Sequence, residues 1–314
     1  MTVPLADVYA EHRPFLWSLC YRMLGSAADA DDVVQDTFVR AIERPPQRAD
    51  LPIRPWLVQV ALNRSRDVLR HRRSRSYVGP WLPSPIETGD DAAPPAHEPV
   101  VDGVRTLEGR YDLLESVSFA FLLALEALTP TQRGVLLLRD VFDYSVKETA
   151  DAFDMTEANV KTSHHRARRA MESYDRTRQV PTPALQEQAR ATLTAFLHCL
   201  EQHDVRGVEA LLAGEVRTMT DGGGEFQAAL RPILGRDKVA RFYLAIAETS
   251  RDLKVVMPIL NGMPAIVVTD PHASGRVAPR FTMTLDLDRD GKIACLYVVS
   301  ASRKLTALRS RMPS

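Results

Sequence analysis

Two proline-rich interruptions divide this chain of 314 residues into blocks of different periodicity. The longer interruption, residues 76–110, follows neither the helical nor the strand period and contains six prolines: Pro80, Pro83, Pro85, Pro94, Pro95 and Pro99. The shorter one, residues 179–185, contains two more. Because proline disrupts both helices and sheet ladders, we expect both stretches to be linkers. They separate three predicted domains, at residues 1–75, 111–178 and 186–314.

The first two predicted domains are helical, whereas the third adds strands. In the first domain, apolar residues recur at helical spacing, for example Leu16, Leu19, Cys20, Met23 and Leu24. In the third, residues 280–287 (RFTMTLDL) alternate between apolar and polar side chains, as in a half-buried strand. Asn-Gly at 261–262 and DRDGK at 288–292 predict hairpin turns. We therefore expect two all-α domains followed by an α+β domain with an antiparallel meander.

The composition is that of a globular protein and points to no membrane span, metal or cofactor. Hydrophobic residues make up 45% of the chain and charged residues 25%. The three cysteines, Cys20, Cys199 and Cys295, lie too far apart for a zinc or redox motif. The most apolar run, residues 117–128, is too short to cross a bilayer, and the N-terminus lacks the apolar core of a signal peptide. We expect a cytoplasmic protein without a cofactor.

The net charge is zero, but the charges are segregated within the first domain. An acidic helix with an apolar back carries Asp29, Asp31, Asp32 and Asp36. The next helix begins near Trp56 and carries six arginines: Arg64, Arg66, Arg70, Arg72, Arg73 and Arg75. Such a charged run is often only a solvated face, but arginine also pairs bidentately with phosphate and stacks on bases. The pattern favours one surface for a protein and a neighbouring one for nucleic acid.

Residues 128–171 have the pattern of a helix-turn-helix. Thr129 is expected to cap a helix that begins at Pro130, and Ser145 to begin a short second helix. After a three-residue turn, a third helix exposes a polar and basic face: Asn159, Lys161, Thr162, His165, Arg166, Arg168 and Arg169. A helix of this kind commonly enters the major groove of DNA. A basic surface helix in a helical hairpin is the alternative.

Two adjacent histidines, His164 and His165, lie within this basic helix. Neighbouring residues of a helix point about 100° apart, so we do not expect the pair to bind a metal ion. We predict that His164 packs inward, whereas His165 and Arg166 face the phosphates or bases of DNA.

The first domain resembles the second conserved region of the sigma-70 family, in its extracytoplasmic-function class. The resemblance covers nearly all of residues 5–75 and is carried by SAADADDVVQDTFVRAIE and RPWLVQVALNRSRDVLRHRRSR. It implies binding to the β′ subunit of core RNA polymerase through Asp31, Asp32, Gln35 and Asp36. It implies contact with the −10 promoter element through Trp56, Asn63, Arg64, Asp67, Arg70, Arg72 and Arg73. In the family, the loop at 44–53 forms a pocket for an unstacked base.

The helix-turn-helix resembles the fourth conserved region of the same factors, which reads the −35 element. Both regions together imply a protein that spans two elements of promoter DNA on RNA polymerase, in contact with its β′ and β subunits. A helix-turn-helix regulator that does not join polymerase remains the alternative.

The third domain resembles the SnoaL-like, NTF2-like fold, in which helices cover a curved antiparallel sheet that forms a cone. The resemblance rests on element order and on GRDKVARFY at 235–243. Many proteins with that fold are enzymes, so we consider five acid–base candidates: His198, His203, Asp204, Asp221 and His272. No spacing fixes a pair among them, so we expect no catalytic residue and no enzymatic activity. A domain that binds a small ligand in its cavity, or acts as an enzyme, is the alternative.

Two short motifs resemble those of a subgroup of these sigma factors in which the C-terminal domain modulates the factor in cis. WLPSP at 81–85 corresponds to the subgroup's WLPEP, and DGGGE at 221–225 corresponds to its DGGGK. The residues that carry this hypothesis are Trp81, Pro83, Asp221, Gly222, Gly223 and Gly224. Glycine permits close backbone approach, and tryptophan supplies a large apolar anchor. An ordinary linker and an ordinary loop are the alternative.

Overall fold

The computed structural model describes residues 5–44, 52–74, 77–89, 110–249 and 251–308. Contacts within the chain define two compact units. The helical unit comprises Met1–Ser76 and Asp90–Val180, and the C-terminal unit comprises Tyr77–Gly89 and Pro181–Ser314. Two features differ from the expected division into three domains. The two helical segments form one unit, and residues 77–89 of the expected linker belong to the C-terminal unit.

The helical unit contains seven α-helices among its described residues. They are α1 (Leu5–Leu24), α2 (Ala27–Glu43), α3 (Ile53–Ser74), α4 (Phe119–Ala124), α5 (Pro130–Asp140), α6 (Val146–Phe153) and α7 (Glu157–Thr177). Short 3₁₀ turns at Glu115–Val117 and Leu125–Ala127 flank α4. The apolar residues that recur at helical spacing in α1 and α2 are buried, as their period predicts.

Two buried arginines join the N-terminal helices to the helices that follow. Arg22 of α1 donates to the Ser116 hydroxyl at 2.7 Å and to the Leu113 carbonyl at 2.9 Å. Arg133 of α5 donates to the Met23 carbonyl at the end of α1, at 2.8 Å. Because a buried guanidinium is costly unless its donors are satisfied, these contacts hold the helices in one arrangement.

The described residues of the C-terminal unit form three helices and a mixed sheet. Its elements are α8 (Pro183–Glu201), α9 (Val205–Leu211), β1 (Leu212–Asp221), β2 (Ile233–Leu234), α10 (Arg236–Thr249), β3 (Lys254–Val256), β4 (Ile259–Leu260), β5 (Met263–Thr269), β6 (Arg280–Leu287) and β7 (Ile293–Val299), followed by a 3₁₀ turn at Ser302–Lys304. The strand order is β2-β1-β7-β6-β5-β3, and β4 pairs with β5. Asn261, Gly262 and Gly291 have positive φ angles of 51°, 81° and 74°, as the predicted turns require.

The expected antiparallel meander is formed by β5, β6 and β7, and β1, which precedes it in the chain, joins the sheet differently. Strand β1 pairs in parallel with β7, with Thr218 opposite Leu296. Hairpin turns dictate antiparallel pairing between strands that follow one another in the chain. The chain passes through α10 and five further strands between β1 and β7, so no hairpin sets their relative direction.

The helix-facing side of the sheet carries the core of the C-terminal unit. Phe196 of α8 and Tyr243 of α10 meet there with ring centroids 5.5 Å apart, packed with the apolar residues of β6. The Tyr243 hydroxyl lies 2.7 Å from the hydroxyl of Thr218 on β1. Since side chains alternate along a strand, Arg217, Met219 and Asp221 of β1 point to the opposite side of the sheet.

Candidate functional sites

Four polar side chains of α2 lie together on its exposed side. Asp31, Asp32, Gln35 and Asp36 are exposed, whereas Val33, Val34, Thr37 and Phe38 are buried. The Ser26 side chain caps the helix by accepting from the Asp29 amide at 3.3 Å. We call these four exposed residues the α2 acidic face, because three of them carry carboxylates; Asp31 pairs with Arg13 of α1 at 3.3 Å.

Helix α3 does not present its predicted DNA residues as one uniform face. Asn63 and Arg70 are exposed, and Arg70 pairs with Asp67 at 3.1 Å. Arg64 pairs with Asp36 of the α2 acidic face at 2.8 Å. The arginines of this helix are therefore already engaged to different degrees by acidic neighbours.

Arg72 is directed into the protein. Its guanidinium donates to the Leu24 carbonyl at 2.7 Å and to the Glu126 carboxylate at 3.0 Å. Trp56 at the start of α3 is half-buried. The side chain of Arg73 and residues 45–51 of the predicted base pocket lie outside the described residues. In this arrangement, Arg72 contributes to packing within the helical unit.

The helix-turn-helix has the capping residues that its sequence predicts. Thr129 and Gln132 form a reciprocal capping box at α5, and Ser145 and Glu148 form one at α6. The turn after α6 places Asp154 in the left-handed region, at φ 50°. Local side-chain signals therefore define both helix starts and the turn between α6 and α7.

Helix α7 presents most of its predicted DNA residues to solvent. Val160, Ala167 and Met171 are buried. Six of the seven predicted residues are exposed: Asn159, Lys161, Thr162, His165, Arg166 and Arg169. The seventh, Arg168, pairs with Asp140 of α5 at 2.8 Å. His164 is half-buried, with its Nε2 2.8 Å from Asp140, which confirms its predicted inward packing.

The sequence WLPSP lies in a segment that is bound to the C-terminal unit, and we call residues 77–89 the strap. At one end, the buried carboxylate of Asp221 accepts hydrogen bonds from the Tyr77 hydroxyl at 2.6 Å and from the Leu82 amide at 2.8 Å. At the other end, Ile86 and Asn261 exchange two hydrogen bonds of 2.9 Å. Residues 82–87 are buried, including Pro83. The strap is therefore an integral part of this unit.

Lys304 completes the site around Asp221. Its ammonium lies 2.6 Å from the Asp221 carboxylate, donates to the Leu82 carbonyl, and lies 4.3 Å from the centre of the Trp81 ring. Only 7% of Lys304 and 1% of Asp221 is exposed. We call Asp221, Lys304 and their contacts with the strap the latch. Lys304 was not predicted from the sequence, because it is one of two adjacent cations in the run ASRKLTAL and its acidic partner is 83 positions away.

The three consecutive glycines lie beside the latch and are required by its backbone geometry. Gly223 and Gly224 have positive φ angles of 62° and 76°, and the Gly223 amide donates to Asp221 at 3.0 Å. A Cβ on Gly224 would lie 3.4 Å from the Val78 side chain of the strap. A Cβ on Gly222 would lie 2.5 Å from the Phe226 carbonyl oxygen. The glycine run therefore lets the loop fold closely around Asp221.

The acid–base candidates of the third domain do not converge on one place. His198, His203 and His272 are exposed, and Asp204 caps α9 by accepting from the Gly207 amide at 3.0 Å. Asp221 belongs to the latch. Among the described residues, no three His, Cys, Asp or Glu side chains are grouped as metal ligands would be.

Asp286 is a further ionisable group on the side of the sheet away from the helices. Its carboxylate accepts from the Tyr297 hydroxyl at 2.6 Å. Burial raises the pKa of Asp286, and the hydrogen bond from Tyr297 and the charge of Arg217 oppose that increase. Burial also raises the pKa of the neighbouring Cys295 thiol to about 11, so this thiol is not activated as a nucleophile.

Comparison with known proteins identifies both helical segments. The family profile for Sigma-70 region 2 matches residues 8–75, and that for Sigma-70, region 4 matches residues 118–171. The ECF RNA polymerase sigma factor SigJ of Mycobacterium tuberculosis is 31% identical over 309 residues, which cover 94% of this chain and 91% of that protein. The chain belongs to the extracytoplasmic-function sigma factors of RNA polymerase.

The similarity extends through the C-terminal unit of this sigma factor. SigG of the same organism is 31% identical over 283 residues, covering 82% of this chain and 72% of that protein. The crystal structure of Mycobacterium tuberculosis SigJ matches with a TM-score of 0.71 and 26% identity, covering 96% of this chain and 98% of that one. None of the helices described in this sigma factor combines the length and hydropathy needed to cross a bilayer.

We predict that Gly222→Ala lowers the stability of the C-terminal unit by about 1–3 kcal/mol, because the new methyl group meets a backbone oxygen that cannot move away cheaply. Gly214→Ala is the matched control, since a Cβ there meets nothing within 4 Å. Thermal denaturation of the full-length sigma factor compares the two variants. Equal melting temperatures for both would contradict the role assigned to the glycine loop.

Proposed function

We propose that this sigma factor directs core RNA polymerase to promoters through three surfaces of its helical unit, and that the latch modulates it in cis. The observation that carries the proposal is that the α2 acidic face and two arginine-bearing helices, α3 and α7, occur in one unit. Part of the segment that connects α3 to the later helices is held by the C-terminal unit. Core polymerase and promoter DNA are the partners of a sigma factor, and we propose that it acts in the cytoplasm, where they are found.

The α2 acidic face supplies the contact with polymerase. Its carboxylates project from one helix that is held rigidly by its buried side, so a cationic partner helix can bind it without reordering the backbone. We assign this contact to Asp31, Asp32, Gln35 and Asp36, facing the β′ subunit. Asp36 also binds Arg64, so contact with polymerase can change the position of a predicted DNA residue.

The two DNA surfaces belong to α3 and α7. We assign −10 contacts to Trp56, Asn63, Arg64, Asp67, Arg70 and Arg73, and −35 contacts to Asn159, Lys161, Thr162, His165, Arg166 and Arg169. Arg72 and Arg168 are assigned instead to packing, because their guanidinium groups are bound by protein acceptors.

The helical unit must open before both promoter elements can be bound. Helix α6 packs against both α3 and α7, and the Arg66 guanidinium of α3 lies 5.8 Å from the ring centre of Phe153 of α6. Three packed helices span about 30 Å at roughly 10 Å each. The −10 and −35 elements are about 25 base pairs apart, or about 85 Å at 3.4 Å per base pair. The two DNA helices therefore separate when the promoter is bound.

The latch opposes this separation. The match to region 2 ends at residue 75, and after the strap the structure next describes the chain from residue 110; the strap holds 13 of the 34 residues from 76 to 109 on the C-terminal unit. A free linker of 34 residues reaches up to about 115 Å when fully extended, which exceeds the separation of the promoter elements. With the strap bound, the same connection loses much of its freedom, because its first residues after the region 2 match are fixed to a folded unit.

The C-terminal unit acts in this proposal as a regulatory element and not as an enzyme. Its acid–base candidates are exposed, cap a helix or belong to the latch. Its helix-facing core consists mainly of aliphatic and aromatic side chains around the hydroxyl pair of Thr218 and Tyr243. This composition favours packing over proton transfer.

We predict that Asp32→Arg abolishes association with core RNA polymerase, because it reverses a charge at the centre of the α2 acidic face. Asp7→Arg makes the same charge change at an exposed position of α1 and serves as the control. Co-purification of full-length variants with core enzyme measures the effect. Retention of Asp32→Arg at the level of Asp7→Arg would contradict the assignment of this surface.

We predict that Lys304→Met raises promoter output severalfold at limiting sigma factor, because loss of the ammonium weakens the strap and favours the open helical unit. Methionine keeps the packing volume beside Trp81, and Lys292→Met controls for removal of a lysine whose ammonium donates to an exposed backbone carbonyl, that of Ala210. Transcription in vitro from a library-selected promoter gives the measurement. Unchanged or reduced output from Lys304→Met alone would show that the latch does not restrain the factor.

A point substitution is a cleaner test than removal of residues after 180. Such a truncation deletes Asp221, Asn261 and Lys304 together and leaves the strap without the surface that buries it. Apolar residues such as Leu82 and Ile86 would then be exposed and would favour aggregation. The effect of truncation on transcription would not report on the latch alone.

A further inference from the structure

A buried carboxylate at the end of α5 contacts the helix assigned to −35 recognition. Asp140 is 2% exposed. Its Oδ1 atom lies 2.8 Å from His164 Nε2 and accepts from Arg168 Nη2 at 2.8 Å, and its Oδ2 atom accepts from Arg168 Nε at 3.0 Å. The contact with Arg168 is bidentate, so it fixes the orientation of the guanidinium relative to the carboxylate as well as their distance.

The contact fixes the rotation of α7 about its own axis. His164 and Arg168 are four residues apart, so they lie on the same side of the helix, one turn from each other. His165 and Arg169 follow them directly and point about 100° away, toward solvent. A carboxylate that holds two successive turns therefore determines which side chains of α7 face outward.

The electrostatics of Asp140 keep this contact in place. Burial raises the pKa of the carboxyl, but hydrogen bonds from His164 and Arg168 outweigh burial and hold the pKa below its ordinary value. The same contact raises the pKa of Arg168. The carboxylate therefore stays ionised near neutral pH, and the Arg168 guanidinium is committed to it.

We propose that Asp140 is a positioning residue for base recognition by α7, with Arg168 as its anchor and not a DNA contact. The inference rests on the proposed role of α7 at the −35 element. It replaces the assignment that the sequence alone favours for Arg168, because the basic pattern of the helix cannot show which arginine is bound by a buried carboxylate.

The test uses full-length variants reconstituted with core polymerase and a promoter library with randomised −35 and −10 positions. Asp140→Asn should lower enrichment of the preferred −35 sequence about tenfold, because the DNA-contacting residues of α7 lose their fixed orientation. Enrichment at −10 should be unchanged. Asp151→Asn, which neutralises an exposed carboxylate of α6, is the matched control and should behave as the wild type. Equal −35 enrichment for Asp140→Asn and Asp151→Asn would overturn the proposal.

Salt dependence separates positioning from a general loss of structure. In Asp140→Asn the Arg168 guanidinium is released, so the log–log slope of binding to non-specific DNA should become steeper by about 0.9 for one added phosphate contact. Damage to the helix-turn-helix would make the slope shallower and would contradict the proposal. Arg168→Lys keeps the charge but not the bidentate contact, and it should lose −35 enrichment as Asp140→Asn does. Full enrichment with Arg168→Lys would identify Arg168 as a phosphate contact and refute its anchoring role.

The controls distinguish failure of this inference from failure of the proposed function. If the wild-type holoenzyme enriches a −10 sequence but no −35 sequence, the role of α7 is wrong, and the positioning role of Asp140 is overturned with it. If the wild type enriches both and Asp140→Asn does the same, only the positioning role fails. Asp140→Glu retains the carboxylate and should recover part of the −35 enrichment if Asp140→Asn folds poorly; no recovery in a folded Asp140→Glu protein would count against the proposal.

Discussion

The buried ion pair between Asp221 and Lys304 is the interaction on which the organisation of this sigma factor depends. A carboxylate that is 1% exposed is costly unless it is fully satisfied, and here it accepts from a lysine, a tyrosine hydroxyl and two backbone amides. Two of those donors belong to the strap. The need to satisfy one buried charge therefore fixes a segment between the two sigma regions onto the C-terminal unit.

Local signals made much of the fold predictable from sequence. Thr129 and Ser145 cap the helices that their sequence context indicates, and Asn261-Gly262 forms the expected turn. These features depend on neighbours within a few positions, which a sequence displays directly. The family resemblance, confirmed by comparison, supplied what local patterns could not: that the acidic and basic helices belong to a sigma factor. The assignment of individual polymerase and DNA contacts stays a prediction.

Contacts between distant positions account for what the sequence did not reveal. Lys304 and Asp221 are 83 positions apart, and Arg168 and Asp140 are 28 apart. In each case the sequence shows a charged residue, but its role depends on whether folding brings a buried partner to it. Arg72 shows the same limit, since its position among exposed arginines gives no sign that it binds Leu24 and Glu126. The parallel pairing of β1 with β7 is likewise set by the whole topology and not by any turn.

Hydrogen exchange at the strap of the full-length protein tests the central claim most directly. The Leu82 amide, bound to Asp221, and the Ile86 amide, bound to Asn261, should both be protected in the wild type. Lys304→Met should speed exchange at Leu82 at least tenfold while leaving the core strands β6 and β7 protected, and Lys292→Met should leave the strap unchanged. Rapid exchange at Leu82 in the wild type, or unaltered protection in Lys304→Met, would contradict the latch.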